Sequence, residues 1–430
     1  MISLKKLWRD KRGNVLAIAA AALPLVIGSA GLASDTIQWA LWKRQLQRAA
    51  DSAALAGVYA KVEDNASQTV DSAIDTDLDR NNNIYRPGKT TSLNGIELTN
   101  EPTVSFPTNA KWTNGVHVQI ALQKRLGFSS LFMSSPPTIT ADATAATIAT
   151  GVYCVVSLVD TSATGIKASG NGTVDLGCGM ITNSTSLSAA IATGSSNVDA
   201  TPIAAVGDVQ ESDNWGDAEL LPFTVKQKDP FKDVNPTTSG CPTTNKINVG
   251  PSGSADLNPG CFTDISINGP VNLKPGTYII DGGNISFGAK AVVSCTACTF
   301  VLTNSSSGTT ATIGQLTTNA GAQLNLTAPS TGCTLGNAGC YDSILFYQDR
   351  RADSSASGKN IINGNSDSVL SGAFYFPKQE LQVNGTSTLH FACAQFVSYT
   401  VDFSGNGTVQ NDCSGYGDKE IMGKHVRLVG

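Results

Sequence analysis

The sequence has few charged residues and few histidines. Charged residues make up 15% of the 430 residues, and the formal net charge is −5. Without an excess of basic residues the chain lacks the surface that neutralises phosphates, so we expect no nucleic-acid partner. The three histidines, His117, His390 and His425, are isolated from one another in the sequence, which leaves no second pair of ligands for a zinc site.

Long hydrophobic runs are also scarce, and the one that stands out is Val15–Ala33, which contains no charged residue. As a helix rising ~1.5 Å per residue, this run reaches about 28 Å, close to the hydrocarbon thickness of a bilayer. Basic residues precede it and Asp35 follows. The positive-inside rule therefore predicts a transmembrane helix at 15–33, a cytoplasmic basic flank at 1–14 and export of the remaining chain. The basic residues of the flank are Lys5, Lys6, Arg9, Lys11 and Arg12.

A cleavable signal peptide is the alternative interpretation of this run, with cleavage near Ala33. The pattern that follows favours a retained anchor, because apolar and small residues continue at spacings of three and four. We expect the membrane helix to run into an amphipathic helix that ends near Tyr59. The apolar face could pack on the chain's own domain or on a partner protein, and the sequence leaves both open. The residues of this face are Trp39, Trp42, Leu46, Ala49, Ala53 and Ala56.

Helix-forming composition becomes scarce from about Gly151 onward. The chain has 42 glycines, and Ser, Thr and Asn, which compete for backbone hydrogen bonds, dominate this part. Such a composition is typical of many short strands joined by tight turns. The length of the chain also favours two or three structural units. We expect a helix with an α+β neck at 34–150, an exported all-β domain at 151–415 and a tail at 416–430.

The neck contains two stretches with strand-like alternation, Val116–Leu122 and Thr138–Ile148. His117 falls on the polar face of the first stretch and is expected to face solvent. Residues Gly127–Phe132 form a compact apolar patch. Residues Asp75–Asn83 are rich in oxygen ligands but lack the central glycine and final glutamate of a calcium loop, so we expect a solvated turn. A helix packed on this short sheet would give a small pilin-like unit.

Glycine turns recur in the C-terminal two-thirds of the chain. Gly364, Gly385 and Gly405 are separated by 21 and 20 residues. A period of about 20 residues is that of one coil of a β-solenoid, with three short strands and their turns. We therefore predict a right-handed parallel β-helix in which Val, Leu and Phe side chains stack from coil to coil. A β-sandwich is the alternative, since it needs similar strands but no fixed period.

Ten cysteines follow the hydrophobic run at a distance. An even number of cysteines in an exported domain predicts disulfides. Pairing between neighbours in the sequence is one possible connectivity, and the sequence does not fix it. Cys295 and Cys298 have the spacing of a zinc or redox pair. However, their flanks are typical of strands, which favours a structural disulfide.

Two clusters of polar residues have the residue types of a catalytic or metal site. Asp349, Arg350, Arg351 and Asp353 form a dense group that we interpret as a charged surface loop. Hydrolysis of a glycoside would need two carboxylates held together, and the sequence shows no clear pair. His390 lies in an alternating strand and is expected to face outward.

The second cluster, Asp160, Ser162 and Thr164, is similar to the magnesium-binding loop of von Willebrand A domains, but the alternating helices of that fold do not follow. We therefore expect no catalytic, cofactor or metal site and no enzymatic activity.

One combination of motifs near the N-terminus is specific. It consists of Arg12-Gly13-Asn14-Val15, the apolar run with Pro24, Asp35, and the stretch Leu46–Ala56. These motifs resemble the TadE/TadG-like family of the tight-adherence (Flp) pilus assembly system. The resemblance implies a membrane-anchored envelope protein without catalytic residues, whose partners are the inner membrane and other pilus-assembly proteins or pilins. Prepilins of this system carry a glutamate where this chain has Ile18, so we do not expect prepilin processing.

Segments of the C-terminal part resemble TadG-like proteins whose exported part is a β-helix. They are Leu273–Gly283, Ile344–Arg350 and Gly372–Pro377. We therefore expect a non-enzymatic anchored protein that exposes a disulfide-stapled β-helix outside the inner membrane. Two alternatives stay open. One is an adhesin or minor pilin carried on the fibre, with surface or carbohydrate ligands, and the other is a periplasmic polysaccharide-active enzyme.

Overall fold

The computed structural model describes residues 14–63, 69–81, 83–89, 95–237, 241, 245–306, 312–354, 358–413 and 420–429. The chain divides into two compact units, Met1–Ile148 with Val426–Gly430, and Ala149–His425. Residues 1–13 of the predicted cytoplasmic flank lie outside the described residues, as do residues 416–419 of the predicted tail.

The first unit begins with one long helix, α1 (Asn14–Glu63), which contains Pro24. The predicted continuation of the apolar run into a further helical stretch is confirmed, and the helix ends at Glu63 rather than near Tyr59. The other elements that start in this unit are α2 (Val70–Arg80), a 3-10 helix (Ser129–Leu131), β1 (Ile84–Tyr85), β2 (Ile96–Glu97), β3 (Thr103–Ser105), β4 (Thr113–Gln123) and β5 (Thr138–Ser157).

The small-residue face of α1 packs within the first unit. Leu46 and Ala53 are fully buried. Gly57 lies so close to its neighbours that an added Cβ would sit 2.9 Å from Val116 Cγ1 on β4 and 3.2 Å from Ile74 on α2. Of the two interpretations left open by the sequence, packing on the chain's own domain is therefore the observed one.

Trp39 lies on the same helical face as Trp42, as predicted, but this part of the face is not buried. Its side chain is 44% exposed, whereas Trp42, one turn further along, is 7% exposed. The strands cover α1 only from about Trp42 onward, so the helical period that links the two residues does not bury both.

Strand β4 pairs antiparallel with β5, with Val118 opposite Ala143. The predicted alternation is confirmed, because Val116, Val118 and the other apolar residues of this stretch are buried. His117 lies on the opposite face as predicted, where its Nδ1 is 2.9 Å from Thr144 Oγ1.

The acidic segment after residue 70 is helical rather than a solvated turn, which corrects the prediction for residues 75–80. Thr69 caps α2 by accepting a hydrogen bond from the Ser72 N–H. Asp75 and Asp79, four residues apart, both face Arg86, whose guanidinium lies 2.7 and 2.9 Å from their carboxylates. The arginine thus supplies the positive charge that a calcium ion would have supplied.

The second unit is built almost entirely of strands. They are β6 (Ile166–Ala168), β7 (Thr173–Asp175), β8 (Gly179–Thr182), β9 (Ala190–Ala192), β10 (Asn197–Asp199), β11 (Ile203–Ala205), β12 (Leu220–Leu221), β13 (Lys246–Val249), β14 (Ala255–Leu257), β15 (Gly260–Phe262), β16 (Asp264–Ile267), β17 (Pro270–Leu273), β18 (Gly276–Asp281), β19 (Ile285–Phe287), β20 (Val292–Cys295), β21 (Cys298–Thr303), β22 (Leu316–Thr318), β23 (Gln323–Thr327), β24 (Ile344–Gln348), β25 (Lys359–Asn363), β26 (Val369–Gly385), β27 (Leu389–Gly405) and β28 (Thr408–Asn411). A short 3-10 helix occupies Asp213–Trp215.

These strands form an extended parallel sheet with a regular pairing rule. From β13 to β23 each strand pairs with the third strand after it, as in β13–β16, β14–β17 and β23–β26. Pairing at intervals of three gives three parallel ladders, and the long strands β26 and β27 take part in all three. One strand, β29 (Ile421–Leu428), lies in the stretch predicted as a tail and pairs with β5.

The order of strands in the ladders does not follow the order of the chain. The late strand β27 pairs with the early strands β5 and β6, and β28 pairs with β7. Strands β5–β12 therefore continue the ladders beyond β28. Strands β12 and β13 follow each other in the chain but lie at opposite ends of the ladders. Residues 222–237, which we call the connecting segment, come directly after β12 and contain no helix or strand.

Side chains stack along the ladders, as predicted for Val, Leu and Phe. The longest column is an aromatic stack in which successive rings are separated by 5.5, 5.1, 5.4 and 5.4 Å between centroids. All of its members are buried, so neighbouring strands share one continuous apolar core. The members of this stack are Tyr278, Phe300, Phe346, Phe374 and Phe396.

Every cysteine is paired with its neighbour in the sequence. The Cys295–Cys298 pair closes the turn between β20 and β21, which confirms the structural interpretation of this spacing. The other pairs are Cys154–Cys178, Cys241–Cys261, Cys333–Cys340 and Cys393–Cys413.

Candidate functional site

The exposed part of α1 is the most apolar surface of the described chain. Ile18, Leu25 and Val26 are 63%, 76% and 64% exposed, and the neighbouring apolar residues are similar. Isolated apolar residues are common on protein surfaces, but a continuous exposed run of this length needs an apolar environment. Among the described residues, α1 is the one helix long and apolar enough to cross a membrane.

Asp35 marks the end of this run with a specific contact inside the first unit. Its buried carboxylate accepts hydrogen bonds from the backbone N–H of Phe128, at 3.0 Å, and from the N–H and hydroxyl of Ser129. These donors lie at the start of the 3-10 helix, where backbone N–H groups lack partners of their own. The contact ties residues 127–133, which we call the Phe128 loop, to the end of the apolar run.

The Phe128 loop corresponds to the compact apolar patch predicted from the sequence. Its Phe128 ring lies against Gly31, where any added Cβ would collide with the ring. Phe132 packs against Phe128 in a tilted arrangement, with 5.3 Å between ring centroids. Nevertheless, Leu131 and Phe132 are 73% and 76% exposed. The loop therefore adds a second exposed apolar surface beside the end of the hydrophobic helix.

The second unit contains a polar cleft of about 430 Å³ that no sequence pattern predicted. Its charged residues come from four strands, β6, β25, β26 and β27. Lys167 lies 3.4 Å from Asp402, and Lys359 lies 2.7 Å from Glu380. Burial raises the pKa of Asp402, the nearby Glu380 raises it further, and Lys167 opposes both effects. Tyr399 also lines the cleft.

The cluster around Asp349 is only in part the charged surface loop that we predicted, because Asp353 is exposed but Asp349 is buried. Asp349 is 4% exposed and is paired with Arg351, 2.7 Å away, and with the Thr303 hydroxyl. Arg350 donates to the backbone oxygens of Phe231 and Val234 in the connecting segment. Burial of these charges is possible because each one meets an opposite charge or a backbone group. The cluster therefore holds the connecting segment on the strands.

The other candidate residues are placed as follows. Asp160 forms an exposed ion pair with Lys226 at 3.0 Å, and Ser162 is exposed in the same loop. His390 faces away from the core and lies 2.7 Å from Asp412. Within the described ranges, no group of three or more His, Cys, Asp or Glu side chains could hold a metal ion.

Comparison with known proteins identifies the N-terminal part of the chain. Residues 13–61 match the Flp pilus-assembly TadE/G-like family. No curated protein and no solved structure matches the chain. The matched range contains the exposed apolar run, Asp35 and the small-residue face of α1. Residues 13–61 are therefore similar to the TadE/G-like domain of Flp pilus assembly.

Proposed function

We propose that this protein is a non-enzymatic component of Flp/Tad-type pilus assembly, held by α1 in the bacterial inner membrane. The observation that carries the proposal is the exposed apolar run of a TadE/G-like helix that continues directly into a folded unit. A cleaved signal peptide needs no such continuation. In this arrangement the N-terminus lies in the cytoplasm, and the second unit lies in the periplasm or at the cell surface.

The second unit has features suited to a rigid exported body. Its five disulfides favour an oxidising compartment. We propose that its three ladders are the faces of a right-handed parallel β-helix, which the pairing at intervals of three supports. The first unit, with helix α1 against a short antiparallel sheet, would be the pilin-like part that contacts other pilus-assembly proteins or pilins.

Cell fractionation tests this proposal. Surface fibres are sheared from cells, and fibres, inner membrane and periplasm are probed for a C-terminal tag. Full-length protein in the inner membrane supports the proposal. Shortened protein in the periplasm would show that 15–33 is a signal peptide, and full-length protein in the sheared fibres would favour an adhesin or minor pilin.

The polar cleft favours a second candidate function, recognition of a saccharide by the exported unit. Asp402 and Glu380 place two carboxylates near each other, and the raised pKa of Asp402 suits a proton donor. Binding of surface polysaccharides without turnover would indicate an adhesin, and release of reducing ends would indicate an enzyme. Either result should be lost in Asp402→Asn and kept in Asp217→Asn, which alters an exposed carboxylate outside the cleft.

A further inference from the structure

We propose that the Phe128 loop inserts into the outer leaflet of the membrane that α1 crosses, as a second and shallower lipid contact. This inference rests on the proposed anchoring of α1. The ligand is a lipid surface, with acyl chains meeting Leu131 and Phe132 and anionic headgroups meeting nearby basic side chains.

The depth of the loop is fixed by its contacts with α1. Phe128 packs on Gly31, which lies within the predicted span at 15–33. Asp35, one helical turn later, binds the N–H groups of Phe128 and Ser129. These contacts place the loop at the level where the apolar run ends. Phe and Leu are typical of the apolar faces that membrane-bound segments bury at the boundary between headgroups and acyl chains.

The exposed side chains are those that a lipid interface accepts. Leu131, Phe132 and Met133 are 73%, 76% and 46% exposed, although they lie in a loop whose backbone is anchored by Asp35. Exposure of these apolar side chains to water is unfavourable, because the free energy falls when each one moves from water into an apolar environment. Its position is continuous with the exposed run of α1, so one lipid phase would cover both surfaces.

Basic residues border the loop on the side away from the apolar run. Lys124 lies 5.5 Å from the ring centroid of Trp42, and Arg125 borders the same small hollow as Ser129 and Met133. Lys43 follows Trp42 and donates to the Thr140 backbone oxygen. Cations next to an apolar insertion are typical of segments that bind anionic lipid surfaces.

Fluorescence quenching by lipids tests the inference on the full-length protein. One cysteine is added at position 132, 27 or 108 and labelled with the dye NBD, while the ten native cysteines remain in disulfides. The protein is then reconstituted in vesicles of phosphatidylethanolamine and phosphatidylglycerol. Ile27 lies in the apolar run and Thr108 in an exposed loop, so they serve as matched positions. We expect a spin label near the lipid headgroup to remove most of the fluorescence at 132 and none at 108.

The outcomes separate the loop from the anchor. Quenching by deep spin labels at 27 without quenching at 132 would overturn the inference and leave the anchor intact. Absence of quenching at both positions would overturn both proposals, whereas quenching at 132 alone would reject the anchor and, with it, the second lipid contact as proposed. An unquenched, blue-shifted dye at 132, together with disulfide crosslinking of two copies through the unlabelled cysteine at 132, would show that protein, not lipid, covers the loop.

A second variant, Leu131→Ser with Phe132→Ser, tests the loop without a dye. Both side chains are exposed, so the fold should not depend on them. In vesicles we expect faster tryptic cleavage after Lys124 and Arg125 than in the unaltered protein. Equal cleavage rates in vesicles would contradict lipid insertion.

Discussion

Ser157 donates a hydrogen bond to the backbone oxygen of Tyr399, 2.9 Å away and 242 residues later in the chain. It is one of several contacts through which β5 continues the ladder of β27. Strands β5, β6 and β7 therefore lack their partners β27 and β28 until the last part of the chain has folded. Pairings of such long range close large loops, so we expect this junction to form late in folding.

The glycine turns beside this junction give the first prediction. Gly170 has a φ of 95°, and a side chain there would collide with the backbone oxygen of Gly405. We expect Gly170→Ala to lower the free energy of unfolding by at least about 1–2 kcal/mol, the cost of the left-handed conformation alone. Urea unfolding followed by circular dichroism measures the loss. Gly250→Ala is the control, because a Cβ there has nothing within 4 Å.

The same junction shows what the sequence could and could not reveal. Residues 169–174 and 404–409 have the identical sequence Ser-Gly-Asn-Gly-Thr-Val, and they stack with Val174 beside Val409. The two copies of this sequence are recognisable, but their contact with each other is not, because a period along the chain does not determine which turns meet in space. The period of about 20 residues predicts that each coil stacks on the next coil in the chain. At β27 the ladders depart from this order, because β27 pairs with β5 and β6.

Local patterns were more informative than patterns of contact. The helical period predicted α1 through 15–59 because it depends on neighbours three or four residues apart. The burial of Asp349 could not be predicted, since its partners Thr303 and Arg351 meet only when β21 and β24 pair. The polar cleft was missed for the same reason. Its residues Lys167, Glu380 and Asp402 are adjacent only because β6, β26 and β27 share one ladder.

The aromatic stack gives the second prediction. Phe374 is fully buried between Phe346 and Phe396, with 5.4 Å between ring centroids on each side. We expect Phe374→Ala to destabilise the protein by about 3–5 kcal/mol, through lost burial and the cavity left behind. Phe262→Ala, whose half-buried ring lies beyond the stack at 6.1 Å from Tyr278, should cost clearly less. Equal losses in urea unfolding would show that the stack does not act as one core.

The third prediction concerns the connecting segment, residues 222–237. Arg350 donates to Phe231 O at 2.6 Å, to Val234 O at 2.8 Å and to the Tyr375 hydroxyl at 3.0 Å. A lysine cannot reproduce this planar fork, and hydrogen bonds from a charged donor contribute about 1.5–3 kcal/mol each. We expect Arg350→Lys to release the segment and speed tryptic cleavage within it. Lys290→Ala removes an exposed cation elsewhere in the unit and should leave the cleavage rate unchanged.

The fourth prediction is a pH dependence that originates at Asp402. Because burial raises its pKa in the folded protein, the folded state keeps a proton that the unfolded state releases near pH 4. The stability contributed by this group is therefore complete below about pH 4 and is lost as the pH rises through the raised pKa. We expect Asp402→Asn to remove this decline from the urea midpoints measured across that range. The exposed Asp217→Asn should preserve it. A decline that persists in Asp402→Asn would assign the titration to another group and contradict the prediction.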